Sequence, residues 1–207
     1  MARPFLTDAA KAALLDAVRA VEARSAAEVV VAVRERSGSY LHADLVAGIV
    51  AANLVLFYQL FSPWEFSLPV IQVAPTGVGL LVGLATSITP WARRALTPRR
   101  TREAMVRTAA RATFVDKGVA GTRARTGILI YVGVLERTAE VVADVGVTRA
   151  VPADRWAAAT ARVSQSARHG DGADVAAAVA GLTDVLAAAL PRSADDVNEL
   201  ADEVGAA

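Results

Sequence analysis

Two long apolar runs dominate the first half of the chain. Residues 45–61 and 70–88 contain no Asp, Glu, Lys or Arg, and only residues 62–69 separate them. As helices rising 1.5 Å per residue, the runs span roughly 25 and 28 Å, close to the bilayer hydrocarbon thickness of about 30 Å. A buried core helix can also be uniformly apolar, but two such runs exceed what a domain of this size usually hides. The sequence therefore predicts a transmembrane helical hairpin over residues 41–92.

Basic residues flank both ends of this predicted hairpin, and its loop carries none. Arg34 and Arg36 precede the first run, five arginines follow the second within residues 93–102, and the loop contains only Glu65 as a charged residue. Positive charge favours the cytoplasmic side of a membrane. The amphipathic N-terminal residues also lack the apolar core of a signal peptide. We expect a two-pass protein of the inner (plasma) membrane, with both soluble parts cytoplasmic and the loop outside.

The net charge of +1 hides a strong asymmetry along the chain. Residues 89–125 contain ten Lys or Arg and two acidic residues. Residues 126–207 contain six Arg and twelve acidic residues. Membrane topology and contact with anionic lipid explain a basic stretch beside a membrane. A nucleic-acid site is disfavoured because the stretch has no recognised binding signature. The absence of cysteine excludes disulfide and thiolate-zinc frameworks.

The flanking segments have the patterns of an α/β domain. The first predicted strand is apolar on both faces, so it must pair with the later strands across the intervening hairpin. The predicted organisation is therefore one α/β domain in two parts, residues 1–40 and 93–207, with residues 41–92 between them. The periodicities predict helices over residues 8–24 (capped by Thr7), 99–117, 153–168, 174–190 and 194–203, and strands over residues 28–33, 127–134 and 139–145.

Five short elements carry a family resemblance. Residues 24–31 (Arg-Ser-Ala-Ala-Glu-Val-Val-Val), 125–131 (Arg-Thr-Gly-Ile-Leu-Ile-Tyr) and 142–147 (Val-Ala-Asp-Val-Gly-Val), with Trp156 and Leu190-Pro191, resemble the TPM-domain (TPM phosphatase-like) family. The chain is most similar to the bacterial membrane branch, which has a two-helix insertion after the first strand and an Asp-Val-Asn-Glu-Leu motif, here residues 196–200.

The resemblance implies an α/β sandwich with a small central sheet flanked by helices and interrupted by the transmembrane hairpin. Some members are linked to phosphatase activity, calcium binding or assembly of membrane complexes. Most carry the domain outside the cytoplasm after a signal peptide, and this chain departs from that pattern. The resemblance therefore leaves two functions open: a cytoplasmic-face interaction or scaffold module for membrane components, or a divalent-metal-assisted phosphatase acting on phosphomonoesters.

Family position also points to candidate site residues. They are Glu28 at the start of the first strand, Arg125 entering the second and Asp144 ending the third, with Glu28 and Asp144 as ligands of a divalent cation such as calcium. Phosphate-ester hydrolysis needs cationic or metal stabilisation of the transferred group, and strand ends are where such groups converge. The structural alternative is that Glu28 caps or pairs with Arg24, Arg125 is a surface cation, and Asp144 ends its strand at a turn with Gly146.

Two glycine-containing motifs have simpler interpretations. Residues 169–174 (His-Gly-Asp-Gly-Ala-Asp) offer oxygen atoms to calcium but lack the distal Glu of a calcium loop, so a turn followed by a helix cap is favoured. Gly79 and Gly83 form a small-xxx-small pair in the second apolar run. That pair permits close helix packing, either within the hairpin or between copies in a homo-oligomer.

Overall fold

The computed structural model describes residues 5–193, 199–200 and 204–206. The chain divides into two compact units. The first comprises Met1–Ser37 and Glu103–Ala207, and the second comprises Gly38–Arg102.

The first unit contains a mixed sheet with helices on both faces, which confirms the α/β class. Thr7 Oγ1 accepts a hydrogen bond from the Ala10 amide, 3.1 Å away, and so caps the first helix as predicted. The elements are α1 (Asp8–Glu22), β1 (Glu28–Arg34), α5 (Arg99–Asp116, which begins in the second unit), a 3₁₀ turn (Val119–Gly121), β2 (Gly127–Gly133), β3 (Thr138–Ala143), α6 (Val145–Ala150), α7 (Ala153–Ser166), α8 (Gly172–Ala180), α9 (Thr183–Ala189) and β4 (Val204–Ala206).

The strand order in the sheet is β3-β2-β1-β4. Strands β1 and β2 are parallel, with Glu28 opposite Gly127 and Arg34 opposite Gly133. Strand β3 is antiparallel to β2, and β4 is parallel to β1. The expected pairing of the first strand with the later strands is therefore present, and it buries β1 on both faces.

The two faces of the sheet have separate hydrophobic cores. Alternate residues of a strand point to opposite faces. On one face, Val29, Val31 and Ile130 pack with apolar side chains of α1, α7 and α8. On the other face, side chains of β1 and β2 pack with α5 and the 3₁₀ turn; the buried members are Val30, Ala32, Val106, Ala110, Val119, Leu129 and Tyr131.

Two details differ from the predicted elements. Strand β3 ends at Ala143, because Asp144 begins a short helix by accepting a hydrogen bond from the Val145 amide. The helix predicted over 174–190 starts at Gly172 and is split into α8 and α9. The predicted helix over 194–203 and the 196–200 motif lie largely outside the described residues. The cap predicted within residues 169–174 is confirmed, because Asp171 Oδ1 accepts from the Ala173 amide at 2.9 Å.

The second unit consists of two long helices and one short helix: α2 (Leu41–Phe61), α3 (Leu68–Ser87) and α4 (Pro90–Leu96). Asp44 lies near Gly83, Gly48 near Gly79 and Gln59 near Val70, so α2 and α3 run antiparallel. A Cβ atom at Gly79 would lie 2.9 Å from the Gly48 carbonyl oxygen. The small residues of α3 therefore allow the two helices to approach closely.

By length and composition, three helical segments are able to cross a membrane, one more than the two predicted. They are Leu41–Phe61, Leu68–Ser87 and Gly172–Ala189. The third satisfies the same criterion because α8 and α9 are rich in Ala, Val and Leu.

Candidate functional site

The segments before β2 and after β3 interlock at one end of the sheet. The Asp144 amide donates to the Gly127 carbonyl at 2.9 Å, and the Gly146 amide donates to the Arg125 carbonyl at 2.9 Å. A Cβ atom at Gly146 would collide with the carbonyl oxygens of Ala124 and Arg125. Only glycine at position 146 therefore permits the two segments to approach this closely.

Arg125 and Asp144 are brought into direct contact by this arrangement. Arg125 Nε lies 2.8 Å from Asp144 Oδ2, and the Arg125 side chain is 55% exposed whereas that of Asp144 is 5% exposed. The other Asp144 oxygen, Oδ1, accepts from the Val145 amide at 2.6 Å. Oδ2 is buried and receives no hydrogen bond from the described residues, so the Arg125 contact is an ion pair without hydrogen-bond alignment. A buried carboxylate thus lies directly beneath a partly exposed cation.

The Arg125 backbone adopts a left-handed conformation, with φ of 57°. Non-glycine residues rarely take this conformation, which costs about 1 kcal/mol or more. Its amide donates to the Thr122 carbonyl at 3.0 Å, and its carbonyl accepts from Gly146. These bonds hold the strained turn and aim the Arg125 side chain at Asp144.

Glu28 lies in the same row of the sheet, two strands away from Asp144. Its partner in β2 is Gly127, whose carbonyl accepts from the Asp144 amide. With strands about 4.8 Å apart, this places the two Cα atoms about 10 Å from each other. A Cβ atom at Gly127 would collide with the Val119 carbonyl oxygen, so the 3₁₀ turn covers the position between the two acids. Glu28 is buried, and its Oε2 accepts from the Leu200 amide at 3.4 Å.

The alternative roles of these residues receive partial support. Arg24, a possible partner of Glu28, donates instead to Asp184 Oδ1 at 2.9 Å. Asp144 directly follows the last residue of β3, close to Gly146, and it caps α6. Within the described residues, no group of three or more His, Cys, Asp or Glu is arranged to hold a metal ion. Calcium takes six to eight oxygen ligands, so Glu28 and Asp144 alone would form a weak site.

A second buried polar cluster, which the sequence does not predict, lies at the opposite end of β1 and β2. Glu136 is 1% exposed, and both of its carboxylate oxygens accept from Ser37: the amide at 2.8 Å and the hydroxyl at 3.1 Å. Burial raises the pKa of the neighbouring Tyr131 hydroxyl, while its hydrogen bond with Ser37 and the charge of Arg34 act in the opposite direction. The sequence gives no signal for this cluster, because a Glu in a hairpin turn is ordinarily exposed.

A third polar contact, which the sequence does not predict either, lies in the second unit. Arg93 makes a two-pronged pair with Asp44: Nε lies 3.0 Å from Oδ1, and Nη2 lies 2.6 Å from Oδ2. The hydrogen bond to Asp44 raises the pKa of the Arg93 guanidinium, although burial acts to lower it. From the sequence, Arg93 is expected only to set the membrane topology, and Asp44 lies just before the first apolar run. A pair separated by 49 residues has no signature in local sequence.

Comparison with known proteins identifies a protein of similar fold, and it identifies no activity. No protein-family model matches the chain. No curated protein matches it either. The chain is similar to BA42 from the psychrophilic bacterium Bizionia argentinensis, whose structure was determined by NMR. The match covers 100% of this chain and 99% of that one, with 17% identity and a TM-score of 0.60. At this identity the two proteins share a fold, and nothing about function follows.

Proposed function

We propose that this chain is a two-pass membrane protein of the TPM-domain type, whose α/β domain acts on the cytoplasmic face as an interaction or scaffold module for membrane components. The proposal that the chain crosses a membrane is supported chiefly by the distribution of its exposed apolar side chains. Among the described residues, all the exposed large hydrophobic side chains except Val115 and Val145 lie between Leu41 and Leu96. A soluble monomer rarely exposes such a continuous apolar surface, whereas lipid would cover it.

The third candidate segment is better explained as part of the domain core. Of its residues, 39% are buried, against 17% and 11% of the residues in the most apolar stretches of the two hairpin helices. Val175, Val179 and Leu186 are fully buried in the core against one face of the sheet. None of the exposed large hydrophobic side chains belongs to Gly172–Ala189. A helix whose apolar side chains are already packed in a core gains little stability from contact with lipid. The two proposed membrane spans are therefore Leu41–Phe61 and Leu68–Ser87.

The order of elements supports the family assignment. Strand β1 is followed by two long apolar helices, then by the basic helix α5 and by β2 and β3. This is the order that the resemblance to the bacterial membrane branch implies, and the helices on both faces of the small sheet fit its α/β sandwich. The scaffold role draws on this order as well, because two spans placed between β1 and β2 would tether the α/β domain to the membrane at two points.

Cysteine labelling tests the anchoring and the topology. The chain has no cysteine, so single-cysteine variants give unambiguous signals. We expect Ser67→Cys, in the loop between α2 and α3, to react with a membrane-impermeant maleimide on intact cells. Ala161→Cys, at an exposed position of α7, should react only after lysis. The reverse pattern would overturn the cytoplasmic placement, and recovery of the full-length protein in the soluble fraction would overturn the anchoring.

The scaffold role has its own test. The full-length protein, purified from detergent-solubilised native membranes, should retain a specific membrane-protein partner that an unrelated two-pass protein does not retain. Recovery of nothing above that control would count against a scaffold.

The contact between Arg125 and Asp144 favours a second candidate function, a divalent-metal-assisted phosphatase. A partly exposed guanidinium suits a phosphate group, which it binds with paired hydrogen bonds. Movement of Arg125 onto a phosphate would leave the Asp144 carboxylate available to a divalent cation, with Glu28 in the same row. In this proposal Arg125 binds the phosphoryl group, and the two acids hold the ion.

A further inference from the structure

The short helix α4 has an unusual surface. It follows α3 directly, and none of its residues is buried. Trp91 is 69% exposed, and the neighbouring Ile88 is 77% exposed. A tryptophan exposed to this extent is not explained by packing within the second unit. Its ring combines a large apolar surface with one N–H donor, a combination enriched where hydrocarbon meets lipid head groups.

Two contacts hold α4 against the first turn of α2. Arg93 forms the two-pronged pair with Asp44, and the side chains are 15% and 11% exposed. Four residues later, the buried Thr97 hydroxyl lies 3.2 Å from His42 Nε2. Residues four apart lie on the same side of a helix. One side of α4 and its C-terminal cap are therefore fastened to α2.

This attachment fixes the direction in which Trp91 points. Successive residues of a helix are rotated by about 100°, so Trp91 lies about 160° from Arg93 around the axis. With Arg93 facing Asp44 on α2, Trp91 faces away from the hairpin. Exposed apolar side chains also lie at the adjoining ends of the long helices, among them Leu41, Leu45 and Ile88.

We infer that α4 lies in the head-group layer of the membrane leaflet at the end of the hairpin where α2 begins, with Trp91 inserted at the boundary with the acyl chains. The inference rests on the proposed membrane anchoring. The occupant of this surface is phospholipid, because α4 begins directly after α3, whose exposed apolar side chains lipid covers in the proposed anchoring. The pair of Asp44 and Arg93 sets the orientation of α4. It also neutralises a carboxylate that would otherwise be costly near the hydrocarbon.

Tryptophan fluorescence in vesicles tests this inference. The chain contains Trp64, Trp91 and Trp156, so replacing two of them by Phe leaves one reporter in the full-length protein. In vesicles of phosphatidylcholine brominated near the head group, we expect Trp91 to emit less than in vesicles of unbrominated lipid. Its emission maximum should be blue-shifted relative to that of tryptophan in water. Lipid brominated near the chain end should quench it less. Trp156 packs against the core of the first unit and should be unaffected.

Trp64 distinguishes the possible failures. It lies in the loop between the two long helices and reports on anchoring independently of α4. Quenching of Trp64 without quenching of Trp91 would overturn the interfacial placement of α4 and leave the proposed anchoring intact. Failure of both reporters to respond to brominated lipid would overturn the anchoring itself.

The role of the ion pair is tested in the protein that retains only Trp91. Arg93→Gln should reduce quenching by brominated lipid and increase quenching by aqueous iodide, because α4 loses its attachment to Asp44. Arg100→Gln removes an arginine at an exposed position of α5 and serves as the matched control, for which no change is expected. Unchanged quenching in Arg93→Gln would overturn the orienting role of the pair.

Discussion

At the scale of single residues, three buried carboxylates among the described residues each have a polar partner. Arg125 lies on the buried Asp144, Arg93 lies on the buried Asp44, and Glu136 accepts two hydrogen bonds from Ser37. A buried charge without a partner would cost several kcal/mol. Burial of each carboxylate therefore requires its partner. Of these three contacts, the one between Arg125 and Asp144 also presents a cation that is 55% exposed.

Asp144 offers the sharpest test of catalysis. Asp144→Asn keeps an oxygen to cap α6 but removes the carboxylate charge. If the phosphatase proposal is correct, the full-length protein in detergent should hydrolyse p-nitrophenyl phosphate only with Mg²⁺ or Ca²⁺. The variant should then lose about 100-fold or more of that rate, the size typical of a lost catalytic group.

A matched control for this variant is Asp171→Asn, which changes another capping aspartate, that of α8. It should keep the wild-type rate. Equal rates in Asp144→Asn and the wild type would remove Asp144 from the assignment, and hydrolysis that is independent of added divalent ions would remove the metal.

At the scale of elements, α2 and α3 are joined by glycine packing more than by polar bonds. A Cβ atom at Gly48 would lie 2.6 Å from the Gly79 carbonyl oxygen, and one at Gly83 would lie 3.1 Å from the Asp44 carbonyl oxygen. Gln59 Nε2 adds one hydrogen bond to the Val70 carbonyl at 3.2 Å. Gly79 and Gly83 therefore pack within the hairpin, and their suggested use between copies stays a prediction.

Substitution at two glycines of α3 separates packing from helix propensity. Gly79→Leu should force the helices apart and destabilise the hairpin by about 1 to 3 kcal/mol, the usual cost of overpacking. Gly77→Leu should be neutral or slightly stabilising, because an added Cβ there meets nothing within 4 Å. Denaturation in mixed micelles, followed by circular dichroism, measures the difference. Equal stability of the two variants would show that close helix contact at Gly79 is unimportant.

At the scale of the whole molecule, the two units differ in where they place their apolar side chains. The first unit buries its apolar side chains in two cores against the sheet. The second unit exposes most of its large apolar side chains and buries the Asp44 carboxylate and small residues. Water stabilises the first pattern through the hydrophobic effect, whereas in the proposed anchoring lipid would remove the cost of the second.

Removal of the apolar segment tests this division. We expect a variant with residues 41–92 replaced by a flexible Gly/Ser linker of about 20 residues, spanning about 25 Å on average, to be soluble and folded. Strands β1 and β2 should still pair, because loop-closure entropy rises slowly with linker length. Sedimentation and circular dichroism provide the measurements. Persistent membrane association would instead indicate that Gly172–Ala189 or the basic stretch holds the protein at the membrane.

The sequence alone determined the apolar runs, the doubly buried first strand, the Thr7 cap and the α/β class. These follow from hydropathy, periodicity and capping chemistry within a few residues, which act locally. Tertiary structure decided that Arg125 contacts Asp144, that Glu136 is buried against Ser37 and that Arg93 binds Asp44. It also decided that Gly172–Ala189, with a composition fit for a membrane, packs into the core. Those outcomes depend on which distant segments the sheet and the helix pair bring together, and that information is not contained in any single stretch of the chain.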